Sequence, residues 1–317
     1  MSARERPRAP RNRTLEIDEA ETKRLVGKTR SFATPASPDE LRDSIIRQDL
    51  FELLPLLPDE FVDLLVVDPP YNIDKKFGAA SFAKLDDDAY ERWLERWLAP
   101  LVRTLKPTGS AYICGDWRSS SAIHRVGKKL LTPANRVTWE REKGRAAKRN
   151  WKNCSEDIWF FVKSDDYYFD ADAVRLKRKV IAPYRENGAP KDWRRESDGD
   201  YRLTAPSNIW TDVTVPFWSM PENTDHPAQK PEKLMAKLIL ASSRRGDLVF
   251  DPFCGSGAGP AAAKKLGRAY LGVEIDERYA ALAVKRLELA EENADIQGYE
   301  DGVFYERNAL AGRRRKR

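Results

Sequence analysis

Residues 62–72, Val-Asp-Leu-Leu-Val-Val-Asp-Pro-Pro-Tyr-Asn, restrict the fold more than any other stretch of the chain. The apolar run at 64–67 has the composition of a strand buried on both faces of a parallel sheet. Asp68-Pro69-Pro70-Tyr71 ends that strand, because proline neither donates to a ladder nor continues one. A polar tetrapeptide is thereby presented at a strand's carboxyl edge, which is where open α/β sheets bind ligands.

The chemistry offered there is narrow. Two prolines fix the backbone and remove its N–H donors, so the carbonyls of Asp68 and Pro69 and the Asp68 carboxylate form a rigid set of acceptors. Such a set suits an exocyclic amino group, which has two hydrogens to donate, and Tyr71 adds a flat face for a planar base. An arylamine nitrogen is a poor nucleophile because its lone pair is delocalised into the ring. Acceptors that hold both hydrogens favour a more tetrahedral nitrogen with a free lone pair, so the tetrapeptide reads as a site of amino-group methylation. A strand that merely ends in a Pro-Pro turn is the plain alternative.

A second pattern lies near the C-terminus. A strand at 248–251 ends in Asp251 and is followed by Pro252-Phe253-Cys254-Gly255-Ser256-Gly257-Ala258-Gly259 and an alanine-rich helix. Glycines let a backbone approach a ligand closely, and a helix N-terminus offers free N–H donors. The next strand, 270–274, ends in Glu274, a carboxylate able to accept from two ribose hydroxyls. Residues 257–262 also satisfy the relaxed G-x-G-x-x-G/A pattern, so this half alone leaves NAD and other nucleoside cofactors both open.

The remaining chain supplies the frame. Residues 1–40, with Arg4, Arg6, Arg8, Arg11 and Arg13, read as a disordered or loosely docked basic arm. A strand at 44–49, a short helix at 50–57, a helix at 86–105, a strand at 110–114, a helix near 119–131 and strands at 136–140 and 157–162 alternate as in a mainly parallel α/β sheet. Tyr90, Trp93, Leu94, Trp97, Leu98, Leu101 and Leu105 have helical spacing and read as core. The loop at 143–152 carries Lys143, Arg145, Lys148, Arg149 and Lys152 beside Trp151, with no acid, and is a candidate phosphate contact. Residues 165–225 lose the alternation and gather Lys177, Arg178, Arg194 and Arg195 among aromatics and prolines, as in an inserted recognition subdomain. Helices follow at 232–243 and 276–293, and residues 296–317 read as a tail that ends in five basic residues.

Charge and composition narrow the class. A net charge of +6 points to a polyanionic partner. No apolar run approaches a membrane span and the N-terminus lacks a signal-peptide core, so a cytoplasmic protein without membrane contact is expected. Cys114, Cys154 and Cys254 are far apart and only two histidines are present, which predicts no metal site and no disulfide framework and disfavours a Ser-His-Asp hydrolase.

Taken in order, Asp68-Pro69-Pro70-Tyr71, His226-Pro227-Ala228-Gln229-Lys230-Pro231 and Asp251-Pro252-Phe253-Cys254-Gly255-Ser256-Gly257 resemble the beta class of S-adenosylmethionine-dependent DNA amino-methyltransferases over roughly residues 44–292. That resemblance removes the NAD ambiguity, since dehydrogenases have no use for an upstream D-P-P-Y. It implies a Rossmann-like methyltransferase fold of the α/β class with a mostly parallel, seven-stranded, circularly permuted sheet. The catalytic half would span 41–164, a target-recognition insert 165–225, and the cofactor half 226–295. It further implies that Phe253 to Gly257 wrap the methionine moiety, with Asp251 near its amino group. Glu274 would hold the ribose, Asp49 and Leu50 would lie near the adenine, and Gln229 and Lys230 would hold the amino-acid end. Asp68 and Tyr71 would receive a base flipped from double-stranded DNA, and Cys254 would serve packing. Aspartate at the head of the tetrapeptide resembles the adenine-N6 branch, with cytosine N4 the runner-up. RNA methyltransferases, a non-catalytic DNA-binding protein and an NAD oxidoreductase are more distant readings. Relatives of this class imply a homodimer and a cognate restriction endonuclease as further partners.

Overall fold

Alternate residues of one short strand face opposite cores, and that explains its unbroken hydrophobicity. Along Val62–Val67, Leu65 and Val67 belong to one buried cluster and Leu64 and Val66 to the other. The computed structural model of the protein describes residues 9–77, 80–141, 148–180, 184–197 and 199–307.

Eight strands form the central sheet: β1 (Ser44–Arg47), β2 (Val62–Val67), β3 (Leu105–Gly115), β4 (Thr132–Glu140), β5 (Ser155–Val162), β6 (Ile209–Trp210), β7 (Leu248–Asp251) and β8 (Ala269–Glu274). Their spatial order is β1, β8, β7, β2, β3, β5, β4, β6. Every neighbouring pair is parallel except the two made by β5. The strand beyond the expected seven is the two-residue β6, whose Trp210 pairs with Trp139 of β4.

Six helices matter for the site and its supports: α1 (Glu19–Val26), α2 (Asp87–Arg103), α3 (Ser120–Gly127), α4 (Glu232–Ser242), α5 (Ala258–Lys265) and α6 (Glu277–Glu292). The Asp86 carboxylate accepts from Ala89 N at 2.7 Å and starts α2, with Asp87 and Asp88 at the positive end of its dipole. The Tyr90, Leu94, Trp97, Leu98 and Leu101 stripe of α2 is buried against one face of the sheet together with α3. Helices α4, α5 and α6 cover the other face. Among the described residues no helix is long and apolar enough to cross a membrane.

Three expectations need correction. The arm at 1–40 is not loose over its described part. The Asp18 side chain caps α1, Leu25 is fully buried, and α1 docks on α6 through Lys285–Glu21 at 2.6 Å, Lys28–Glu288 at 2.6 Å and Arg24–Glu288 at 2.8 Å. A single buried side chain, Leu25, gives little periodicity, so α1 is defined by the helix it docks on. Residues 106–109 do not separate helix from strand but lie within β3. There the missing side chain of Gly109 makes room for Leu105, whose branch a Cβ would meet at 2.6 Å.

The third correction concerns 165–225 and the segment after 296. Strands at Leu176–Lys179, Arg194–Glu196 and Gly199–Thr204 pair antiparallel, and Val303–Tyr305, parallel to the first, and Tyr299–Glu300 complete the sheet from the C-terminal side. Phe304, fully buried, pairs with Leu176, so 299–305 is part of the insert rather than a tail. The buried Asp212 ties this unit to α4 through Lys233 and Lys237, each at 2.9 Å.

Candidate active site

Strands β1, β8, β7 and β2 lie side by side and parallel, so the acids that follow or end them, Asp49, Glu274, Asp251 and Asp68, share one edge of the sheet. Strand β5 runs the other way, which brings its first residues to that same edge. Glu156 thereby comes beside the tetrapeptide, although it begins a strand instead of ending one. Arg141, one residue past β4, closes the β4–β5 loop by donating its backbone N–H to Cys154 O at 2.6 Å.

These groups form a buried ionic cluster. Tyr71 Oη lies 2.9 Å from Asp68 Oδ1 and 3.1 Å from Glu156 Oε2. Lys230 Nζ donates to Asp68 Oδ2 at 2.6 Å and to Tyr71 Oη at 3.1 Å, and is 3.3 Å from Glu156 Oε2. Arg141 pairs with Glu156 Oε1 at 2.6 Å. Glu156 and Arg141 were missed in the sequence, where Glu156 reads only as an acid before a buried run. The signal available was the composition of β5, whose antiparallel direction the sequence does not disclose.

Burial dominates the electrostatics. It raises the Asp68 carboxyl above its usual range against the pull of Lys230, with Glu156 adding to the rise. It raises the Tyr71 hydroxyl strongly, helped by the charges of Asp68 and Glu156. At Glu156 burial is outweighed by Lys230 and Arg141, which hold this carboxyl low. Lys230 is pushed up despite burial because two carboxylates surround it. Burial, with Lys75 and Lys230 nearby, takes His226 down to about 4, so its ring is neutral at pH 7, with Nδ1 accepting from Ala228 N at 3.3 Å.

The glycine loop closes the other side. Gly255 at φ 51° and Gly257 at φ 81° adopt left-handed conformations that favour glycine. A Cβ on Gly257 would meet Ala283 at 2.7 Å, and one on Gly255 the His226 ring at 2.9 Å, so the loop is pressed against both. Phe253 packs edge-on to Trp97 at 5.2 Å, which extends the α2 aromatic stripe to the cavity wall. Glu274 Oε1 accepts from Asp276 N at 2.8 Å, and burial pushes its carboxyl up to about 7.

One cavity of about 480 Å³ joins the two sides. Of the residues expected at the site, Asp49, Leu50, Asp68 to Tyr71, Gln229, Lys230, Pro252, Phe253, Gly255 and Glu274 line it. Asp251, Cys254, Ser256 and Gly257 lie behind that wall and shape it. Buried Asp251 accepts from Phe253 N at 3.3 Å in the space left by Gly259, and burial pushes the Cys254 thiol well up, which disfavours the thiolate. Gln229 is used internally, accepting from Thr224 N at 2.8 Å and donating to Glu222 O at 2.6 Å. The Lys230 ammonium sits on Asp68, at the tetrapeptide rather than in the glycine loop. Among the described residues no group of three or more His, Cys, Asp and Glu could hold a metal ion.

The basic residues divide. Lys148, Arg149 and Lys152 are exposed, with Trp151 92% exposed among them. Lys143 and Arg145 lie outside the described residues. Lys177 is committed inside the insert, paired with Glu196 and set over the rings of Tyr201 and Tyr305 at 4.8 and 5.5 Å. Arg178 lies 3.8 Å from Glu306, Arg195 pairs with Asp200 at 3.0 Å, and Arg194 is exposed.

Comparison with known proteins places this arrangement. The family of N6 and N4 methyltransferases described as DNA methylase matches residues 62–285. DNA adenine methyltransferase YhdJ of Escherichia coli (strain K12) is 34% identical over 280 residues, covering 84% of this chain and 92% of that protein. Type II methyltransferase M.HpaI of Haemophilus parainfluenzae is 31% identical over 247 residues, covering 77% and 74% respectively. In fold, the chain is similar to the PvuII DNA methyltransferase (cytosine-N4-specific), with a TM-score of 0.57 at 19% identity over 82% of this chain and 92% of that one. It is likewise similar to a putative DNA modification methylase from Thermus thermophilus, with a TM-score of 0.53 at 23% identity over 84% and 98%. The sequence match spans both the tetrapeptide and the glycine loop, and the chain belongs to the N6/N4 DNA methylase family.

Proposed function

We propose that this DNA amino-methyltransferase acts on adenine N6, in a base flipped out of duplex DNA, with S-adenosylmethionine as methyl donor. The observation that carries the reading is that the Asp68 to Tyr71 acceptors and the Glu274 carboxylate line one cavity. The cavity fits a nucleoside cofactor: Gly255 brings bare backbone to its wall, with no room for a side chain beside the His226 ring, and Glu274 lines the same space. S-adenosylmethionine supplies an electrophilic methyl group when bound. Glu274 would hold its ribose, Asp49 and Leu50 its adenine, and the loop from Phe253 to Gly257 its methionine end, with Asp251 setting the loop's shape. Gln229 holds the 222–229 turn, and Lys230 pulls Asp68 toward its charged form and holds it in place.

Extrusion of the target base is required because stacking hides its amino group. Asp68 and the Pro69 carbonyl would accept its two hydrogens while Tyr71 stacks on its face. Aspartate at the head of the tetrapeptide favours adenine, and the adenine-directed relative at 34% identity supports that choice. Lys148, Arg149, Lys152 and Arg194 are exposed cations suited to phosphates, and the sheet completed by 299–305 is the target-recognition unit. The type II relative M.HpaI supports a restriction-modification setting with a cognate endonuclease. A DNA substrate agrees with the cytoplasmic location expected from the sequence, and a homodimer is the assembly to test.

Incubation with labelled S-adenosylmethionine and unmethylated duplex, followed by nucleoside mass spectrometry, tests the reading. N6-methyladenine is expected, and N4-methylcytosine would overturn the base assignment. Asp68→Ala should abolish transfer while cofactor affinity stays close to the parent value. Loss of cofactor binding with residual transfer would refute the division of roles.

A further inference from the structure

Charges alternate along one row of side chains in the cavity wall: Asp68, Lys230, Glu156, Arg141. The two inner members are almost sealed, with Lys230 6% and Glu156 4% exposed. Buried ion pairs rarely outperform apolar packing in stability, so a row of this kind calls for a reason in chemistry. Glu156 touches neither the glycine loop nor, by any hydrogen bond, the backbone of the tetrapeptide. Its partners are Tyr71, Lys230 and Arg141.

We propose that Glu156 is a positioning residue for methyl transfer, holding Lys230 and Tyr71 so that Asp68 can accept the proton that the methylated amino group sheds. The inference rests on the amino-methylation reading. In the transfer, the amino lone pair forms the new N–C bond as the S–C bond of the sulfonium breaks and its electron pair returns to sulfur. The nitrogen then carries one proton too many. Breaking an N–H bond returns its electron pair to nitrogen, and the proton forms an O–H bond on the Asp68 carboxylate.

Tyr71 shows how the cluster tolerates that proton. Its single hydroxyl hydrogen has two carboxylates within reach, Asp68 at 2.9 Å and Glu156 at 3.1 Å. With Asp68 ionised, Tyr71 donates to Asp68. With Asp68 protonated, the new O–H donates to Tyr71 Oη, and the tyrosine hydrogen turns to Glu156. Lys230 meanwhile keeps Glu156 as a counter-ion and is never left buried without one. The other charged or titratable groups facing this set are Lys75 and Asp251, and Cys114 behind Tyr71.

The test uses Glu156→Gln in the full-length enzyme under single-turnover conditions. The transfer rate should fall about 10²-fold, and the acidic limb of its pH profile should move to lower pH by about one unit, because an anion that raises the Asp68 carboxyl is gone. Carboxyl-¹³C titration of Asp68 in the free protein should move the same way, and calorimetry should find cofactor affinity unchanged. A limb and titration that stay in place, or cofactor affinity that falls in step with rate, would overturn the proposal. Glu156→Asp is the second variant, keeping the charge but not the reach. It should leave the limb in place with a reduced rate, and full activity there would refute the positioning role. Parent enzyme that methylates no amino group would instead remove the reading beneath both.

Discussion

Lys230 Nζ and Asp68 Oδ2 lie 2.6 Å apart across 162 residues of chain, joining the segment that precedes α4 to the tetrapeptide after β2. This contact makes the lysine part of the buried ionic cluster at the tetrapeptide. It also opposes the effect of burial on Asp68, since the ammonium pulls toward the charged form a carboxyl that burial pushes toward the acid.

Replacing the ammonium should therefore be costly in a pH-dependent way. Lys230→Met leaves Asp68 and Glu156 without their common cation, and breaking a buried pair costs about 3–5 kcal/mol. Asp68 relieves part of that cost by taking a proton. The stability deficit is thus smallest at low pH and grows as pH rises. Melting temperatures at pH 5.5 and 8 should diverge from the parent accordingly, and the acidic limb of transfer should move to higher pH, opposite to Glu156→Gln. A deficit independent of pH would mean that Lys230 acts by packing alone.

Glu274 gives a second pH signature. Its folded value of about 7 lies above that of an unfolded glutamate. The stability it contributes is fully present below the unfolded value and is lost as pH rises through about 7. Holding two ribose hydroxyls requires the ionised form, so cofactor binding near pH 7 should release a proton, and affinity should increase from pH 6 to 8. Calorimetry in buffers of different ionisation enthalpy measures the release. Glu274→Gln should abolish it and weaken binding about tenfold, a loss of about 1.4 kcal/mol. Undiminished release in that variant would assign the proton to another group.

The exposed cations make a salt-dependence prediction. Removing Lys148, Arg149 and Lys152 together should lower the slope of log K against log salt for duplex binding by about one unit for each phosphate no longer neutralised. Lys177→Ala should leave the slope alone and lower the melting temperature, because that ammonium is held by Glu196 and two tyrosine rings inside the small sheet. An unchanged slope in the triple variant would return the loop to a solvated role.

What the sequence disclosed follows from how local each signal is. The tetrapeptide and the glycine loop are contiguous, and their backbone demands can be read from proline and glycine alone. β2 was legible because both its faces are buried. Glu156 and Arg141 were not legible, because their place depends on the direction in which β5 enters the sheet, a property of pairing rather than composition. α1 escaped notice because its charges find their partners on α6. The strands at 299–305 escaped because two short pieces acquire a core only against Leu176. Lys230 was legible as a residue of this cavity, but its contact with Asp68 was not, since the order of motifs along a chain does not say which of them touch.

The pairing of β1 with β8 has a consequence for how the protein is made. Tyr270 N donates to the Asp43 carboxylate across 227 residues of chain, and the strand after Asp43 can enter the sheet only once β8 exists. During synthesis the Asp68 to Tyr71 tetrapeptide leaves the ribosome long before the glycine loop. A nascent chain therefore carries one wall of the cavity without the other, and its N-terminal strand waits for a neighbour. Such late, long-range closure predicts slow folding and an early exposed strand edge. Added S-adenosylmethionine, which needs both ends of the chain at once, should favour the finished state over its precursors.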